Sequence, residues 1–149
     1  MLKLHALPIA CILLHAFLQP LLADDAKEDT PLEQEMSAMN KPYRSLSKAF
    51  RKAPDASNNA EYLAMAESIL KHAKGSVDFV PVRASKLDEA AQKKMVAEYQ
   101  KAMQESITTL EQLVKALKAD DYTKATELLA NLKKQKSDGH DRFQEEDED

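Results

Sequence analysis

Two side chains of this sequence are suited to gripping a transition metal, and they fall near opposite ends of the chain. His140 lies in residues 132–143, LKKQKSDGHDRF, close to the end of the last amphipathic stretch; Met36 lies in LEQEM, close to the start of the first. An imidazole nitrogen and a thioether sulfur are neutral donors that suit soft to borderline metals. Facing each other at one depth, they form the pair that holds a haem iron from both sides, the thioether raising the reduction potential relative to two histidines. The same residues also have a structural reading. A methionine on an apolar stripe is usually core, and a histidine near a helix end usually answers the helix dipole at the surface.

The spacing of apolar residues predicts the elements that would have to position this pair. Thr30-Pro31-Leu32-Glu33 supplies a threonine N-cap, a proline at the first helical position and a glutamate three residues after the cap. Leu32, Met36, Met39, Tyr43, Leu46 and Phe50 then recur at intervals of four and three, one stripe of an amphipathic helix. Pro42 interrupts that stripe, so a kink near Ala38 and Met39, or a break, is expected. Residues 52–59 read as a loop, and Asn58 with Glu61 should cap a second helix. Its stripe is Tyr62, Leu63, Ala66, Ile69, Leu70, Ala73 and Val77, loosened at Gly75 and ending near Pro81.

A third helix is expected from around Ser85, with Asp88 and Glu89 in its first turn. Val96, Met103, Leu110 and Leu117 fall seven apart along it, with Tyr99, Ile107 and Val114 between them. Residues 119–122 make a turn short enough to force a hairpin, and a fourth helix carries Ala125, Leu128, Leu129, Leu132, Lys136, His140 and Phe143. The expected fold is therefore all-α, an antiparallel up-down-up-down four-helix bundle. In it the start of the first helix and the end of the last share one end, with Met36 and His140 each about 8 Å inside it.

Composition agrees with helices and narrows function. With only two glycines among 149 residues, no tryptophan and 31% charged residues, a helical domain is favoured over any sheet fold. A bundle poor in aromatics is slim, so room for a flat cofactor would have to come from small residues or a widened end. Residues 1–23 read as a signal peptide, with Lys3 before an apolar run and cleavage near Ala23, which implies export. Residues 24–144 then form the domain, and the five acids of 145–149 a frayed, solubilising tail. The single cysteine, Cys11, leaves with the signal, which removes disulfides, thiolate metal sites, a cysteine nucleophile and covalent haem attachment. Losing Lys3 leaves 20 basic against 25 acidic residues. That balance argues against nucleic acid or stable membrane association and suits a monomer that meets a partner with a basic patch.

The segments LEQEMSAMN and LKKQKSDGHDRF resemble the ligand-bearing segments of the cytochrome b562 family, periplasmic four-helix bundles that bind one haem b without covalent attachment. The resemblance extends over most of the mature chain. It implies an electron carrier and not an enzyme, with Met36 and His140 as axial ligands. It also implies that Met39 is an apolar neighbour of the cofactor, that Tyr99 and Met103 stand at pocket aromatic positions, and that Lys136 faces a propionate. Three positions depart from the family pattern: Pro42 follows the ligand on the first helix, Gly139 replaces a bulky residue beside the histidine, and Met103 replaces an aromatic wall. Gly139 would either let a porphyrin approach the backbone or unwind the helix end that aims His140. The alternative is a haem-free periplasmic bundle that acts as a binding or adaptor protein on the same scaffold; a metal module built from His140 and the acidic tail is a third. His72, flanked by Lys71 and Lys74, reads as a solvated helix residue, and the methionines 36, 39, 65, 95 and 103 are too scattered for a copper(I) site. No nucleophile elbow, phosphate loop or H-E-x-x-H motif occurs.

Overall fold

A computed structural model describes residues 29–144, so the expected signal segment with Cys11 and the acidic tail lie outside the described residues. The described chain is all-helical: α1 (Pro31–Arg51), α2 (Asn59–Ser76), α3 (Val82–Ser85), α4 (Glu89–Lys118) and α5 (Tyr122–Phe143), with a 3-10 turn at Ala56–Asn58. The capping box at the start of α1 forms as its sequence requires. The Thr30 hydroxyl accepts from Glu33 N at 3.3 Å, and Glu33 accepts from Thr30 N at 2.7 Å. Pro42 does not break α1, which runs on to Arg51. A proline inside a helix costs about 3 kcal/mol. Beyond it, however, Leu46 and Phe50 are buried, and each such side chain contributes about 1.5–3 kcal/mol to holding the distal half in place.

Three boundaries differ from the sequence expectation, each for a local reason. Asn58 makes no capping bond to α2; Asp55 instead accepts from Ser57 N at 2.9 Å and organises the 3-10 turn that leads in. α2 stops at Ser76 and not near Pro81, because the Ser76 carbonyl is taken by Phe79 N and by the Tyr99 hydroxyl at 2.8 Å. Ser85 ends the short α3 and does not begin α4. The true cap of α4 is Asp88, whose carboxylate accepts from both Ala90 N and Ala91 N, a stronger cap than a lone hydroxyl. Between α4 and α5 the chain turns through Asp120 at φ 53°, and Asp121 caps α5 by accepting from Lys124 N at 2.9 Å. Asn59 Nδ2 donates to Leu117 O and to Asp120 Oδ1, tying this turn to the start of α2.

The helices pack in the order α1 on α2, α2 on α4 and α4 on α5, while α3 touches α4 and α5. Bridging side chains set the registers: Glu35 meets His72 between α1 and α2, Lys74 meets Glu111 and Lys118 meets Glu67 between α2 and α4, and Arg142 meets Glu98 between α4 and α5. The buried cluster is concentrated where α1 ends and α5 begins. Leu46, Phe50, Tyr62, Ala66, Leu113, Leu117, Ala125, Leu128 and Leu129 meet there. Phe50 packs edge-on against Tyr62 at 5.2 Å and tilted against Tyr122 at 6.1 Å. The opposite end is held differently, by buried Pro81, Ala84 and Ser76 and by an edge-to-face pair between Tyr99 and Phe143 at 5.5 Å.

Candidate functional site

Helices α1 and α5 do not close on each other as the other neighbouring pairs do. They touch through side chains: Phe50 against Tyr122 near the solid core, and farther along Lys136 Nζ donating to Asn40 Oδ1 at 2.8 Å and lying 5.4 Å from the Tyr43 ring centroid. Away from the solid core the gap opens into a cleft of about 1030 Å³. One helical face from each side lines it, including Leu32, Met36, Met39 and Tyr43 of α1 and Leu132, Lys136, His140 and Phe143 of α5. Tyr99, Met103 and Leu110 of α4 form its floor together with Ile69 and Ala73 of α2, and Val82, Arg83, Lys86 and Leu87 on and after α3 border it.

All six residues singled out from the sequence line this cleft. Met36 is half-buried and lies outside the buried core cluster, whereas Met39 and Met103 pack against that cluster. Tyr99 is buried, its hydroxyl donates to Ser76 O at 2.8 Å, and burial holds its pKa above the usual tyrosine range. Lys136 has a lowered pKa because it is partly buried and Arg44 lies nearby. His140 is exposed over much of its surface, yet the cleft wall shields enough of its ring to lower its pKa. The Lys136 charge adds to that lowering and Asp141 opposes it. The balance favours the neutral imidazole, the form in which histidine binds metals.

The cytochrome b562 family model matches residues 23–144. The chain belongs to the cytochrome b562 family. No curated protein and no solved structure matched it. The family consists of haem-binding electron-transfer cytochromes, electron carriers and not enzymes, and it is typically periplasmic. Among the described residues no helix is long and apolar enough to cross a membrane, and no three His, Cys, Asp or Glu side chains cluster to hold a metal ion.

The residues present fit the family's cofactor. The cleft volume stands at the upper end of the roughly 300–1,000 Å³ usual for cofactor sites. An imidazole and a thioether line it, and so does Gly139, where an added Cβ would meet nothing within 4 Å. Gly139 does not unwind α5, which continues to Phe143. The Gln135 amide donates to Thr109 Oγ1 at 3.1 Å, but its buried Oε1 has no protein partner. Two features were missed in the sequence. His72 is not simply solvated: its Nδ1 lies 2.6 Å from Glu35 Oε2, pinning α2 to the turn of α1 that carries Met36. Val82, Arg83, Lys86 and Leu87 border the cleft, the first two on a short helix where only a link between the second and third helices was expected.

Proposed function

We propose that this chain is an exported, periplasmic electron carrier with an up-down-up-down antiparallel bundle and one non-covalent haem b, for which Met36 and His140 are the axial ligands. The observation that carries this reading is the open α1–α5 cleft with both donors on its walls. The Asn40–Lys136 bond adds a register argument. Met36 is one turn before Asn40 and His140 one turn after Lys136, and on antiparallel helices both steps run about 6 Å toward the same end. That register supports placing the two donors at about the same level.

Bound haem supplies a one-electron ferric–ferrous couple. His140 offers a neutral nitrogen and Met36 a sulfur. Held by both Met36 and His140, the iron would have no position left for a substrate. Tyr99, Met103, Leu110 and Phe143 exclude water from the inner wall, and Met39 adds apolar surface beside the ligand. Lys136, held at the edge by Asn40, offers its ammonium to a propionate. The excess of acidic residues favours a monomer that docks on a redox partner with a basic patch, with an encounter rate that falls as salt rises.

The test is a hemin titration of the mature chain followed by reduction. A six-coordinate low-spin spectrum that is lost in both Met36→Ala and His140→Ala is expected. Loose, unsaturable absorbance identical in wild type and both variants would instead favour a haem-free adaptor.

A further inference from the structure

An α-helix leaves its last four carbonyls without intrahelical partners, and an end that lacks substitutes frays. In α5 these carbonyls belong to the turn that carries His140. The His140 carbonyl accepts from Gln144 N at 3.1 Å. The carbonyls of Asp141 and Arg142 accept from a residue far away in sequence: Arg83 Nη1 donates to them at 3.2 and 3.4 Å. Arg83 stands on a rigid base, since its neighbour Ala84 and nearby Pro81 are buried. One turn of α5 is also weak by composition, because Gly139 brings no side chain to pack and glycine is a poor helix former. The Arg142–Glu98 bridge and the Phe143–Tyr99 pair restrain the end against α4, but neither satisfies a carbonyl.

Resting on the reading of His140 as a ligand, we propose that Arg83 is its positioning residue: by capping the last turn of α5 from α3, it fixes the direction in which the imidazole enters the cleft. This gives α3 a purpose beyond connection. A cap supplied from another element holds the end of α5 only when α3 is docked, so ligand geometry is coupled to the seating of the connection between α2 and α4.

The experiment uses the full mature chain as wild type, Arg83→Ala and Arg83→Lys. In the hemin-free proteins, amide hydrogen exchange of residues 140–144 is expected to be about tenfold faster in Arg83→Ala, the size expected for loss of a charge-assisted bond. With hemin, the same variant should lose part of its six-coordinate low-spin band to a five-coordinate high-spin species and release hemin about tenfold faster. Arg83→Lys, which keeps the charge and a donor, should recover part of both effects. Unchanged exchange in the hemin-free Arg83→Ala protein overturns the proposal, even if the spectrum changes, because Arg83 would then act on the cofactor directly. Faster exchange with an unaltered spectrum overturns it too, since the cap would be structural only. A wild type without a low-spin band sinks the ligand reading itself, a result distinct from either.

Discussion

Gly139 separates stability from binding, and the structure assigns a sign to each. It lies within α5 with an ordinary helical backbone, it lines the cleft, and a Cβ there would meet nothing within 4 Å. Alanine at this position should therefore remove the glycine penalty without a clash. The full interior penalty is about 0.8–1.0 kcal/mol, and so close to the end of α5 about half of it, roughly 0.5 kcal/mol, is expected as a gain. For a chain of this size that raises the melting temperature by about 2–3 °C. Gly139→Leu keeps the helix-forming gain but places a branched side chain in the cleft beside His140. Displacing a flat cofactor from that wall should weaken hemin binding at least tenfold, about 1.4 kcal/mol, within the range of overpacking costs. Urea denaturation of the hemin-free proteins followed by circular dichroism gives the first quantity, and hemin titration gives the second. A Gly139→Ala protein less stable than wild type would show that the site is packed. A Gly139→Leu protein that binds hemin with wild-type affinity and spectrum would show that this wall does not border the cofactor.

Three other predictions follow from single side chains. In the hemin-free chain His140 should titrate below the ordinary histidine value of about 6.5, with Lys136→Gln moving the midpoint upward; a midpoint at or above 6.5 by NMR refutes the assignment. Because the folded pKa is depressed, the unfolded chain binds more protons in the window between the two values. This contribution to stability is present above the unfolded pKa and is lost as pH falls through the folded one. Asp88→Ala removes the acceptor of two amide bonds at the start of α4 and should cost about 1 kcal/mol in urea denaturation, whereas Ser85→Ala should cost much less. Tyr99→Phe breaks the buried bond to Ser76 O and should destabilise the chain by about 1 kcal/mol while leaving the low-spin hemin spectrum in place; loss of that spectrum would give the hydroxyl a role in the site.

Where sequence reading succeeded, the determinants were local. The capping box at Thr30, the stripe from Leu32 to Phe50 and the tight turn before α5 each depend on residues within a turn or two of one another, and each appears as its residues dictate. Where it failed, the deciding partner was distant or a better local competitor was present. Tyr99 claims the Ser76 carbonyl and ends α2 early, Asp88 outcompetes Ser85 as a cap, and Glu35 turns His72 from a surface residue into a bridge between helices. Pro42 left a kink or a break open, and the burial of Leu46 and Phe50 that keeps α1 continuous cannot be read from the proline's own neighbours.

The sequence by itself determined that the chain is helical, where the apolar stripes run, and that a histidine and a methionine are available near the ends of the last and first helices. Periodicity and capping are short-range properties, and side-chain chemistry travels with the residue. Only the tertiary structure decided that α1 and α5 stay apart at the end away from the solid core, that the six candidate residues line one cleft, and that Arg83 reaches the end of α5. Those outcomes depend on which helix pairs pack tightly and which do not, a balance of burial summed over the whole bundle that no segment carries in its own residues.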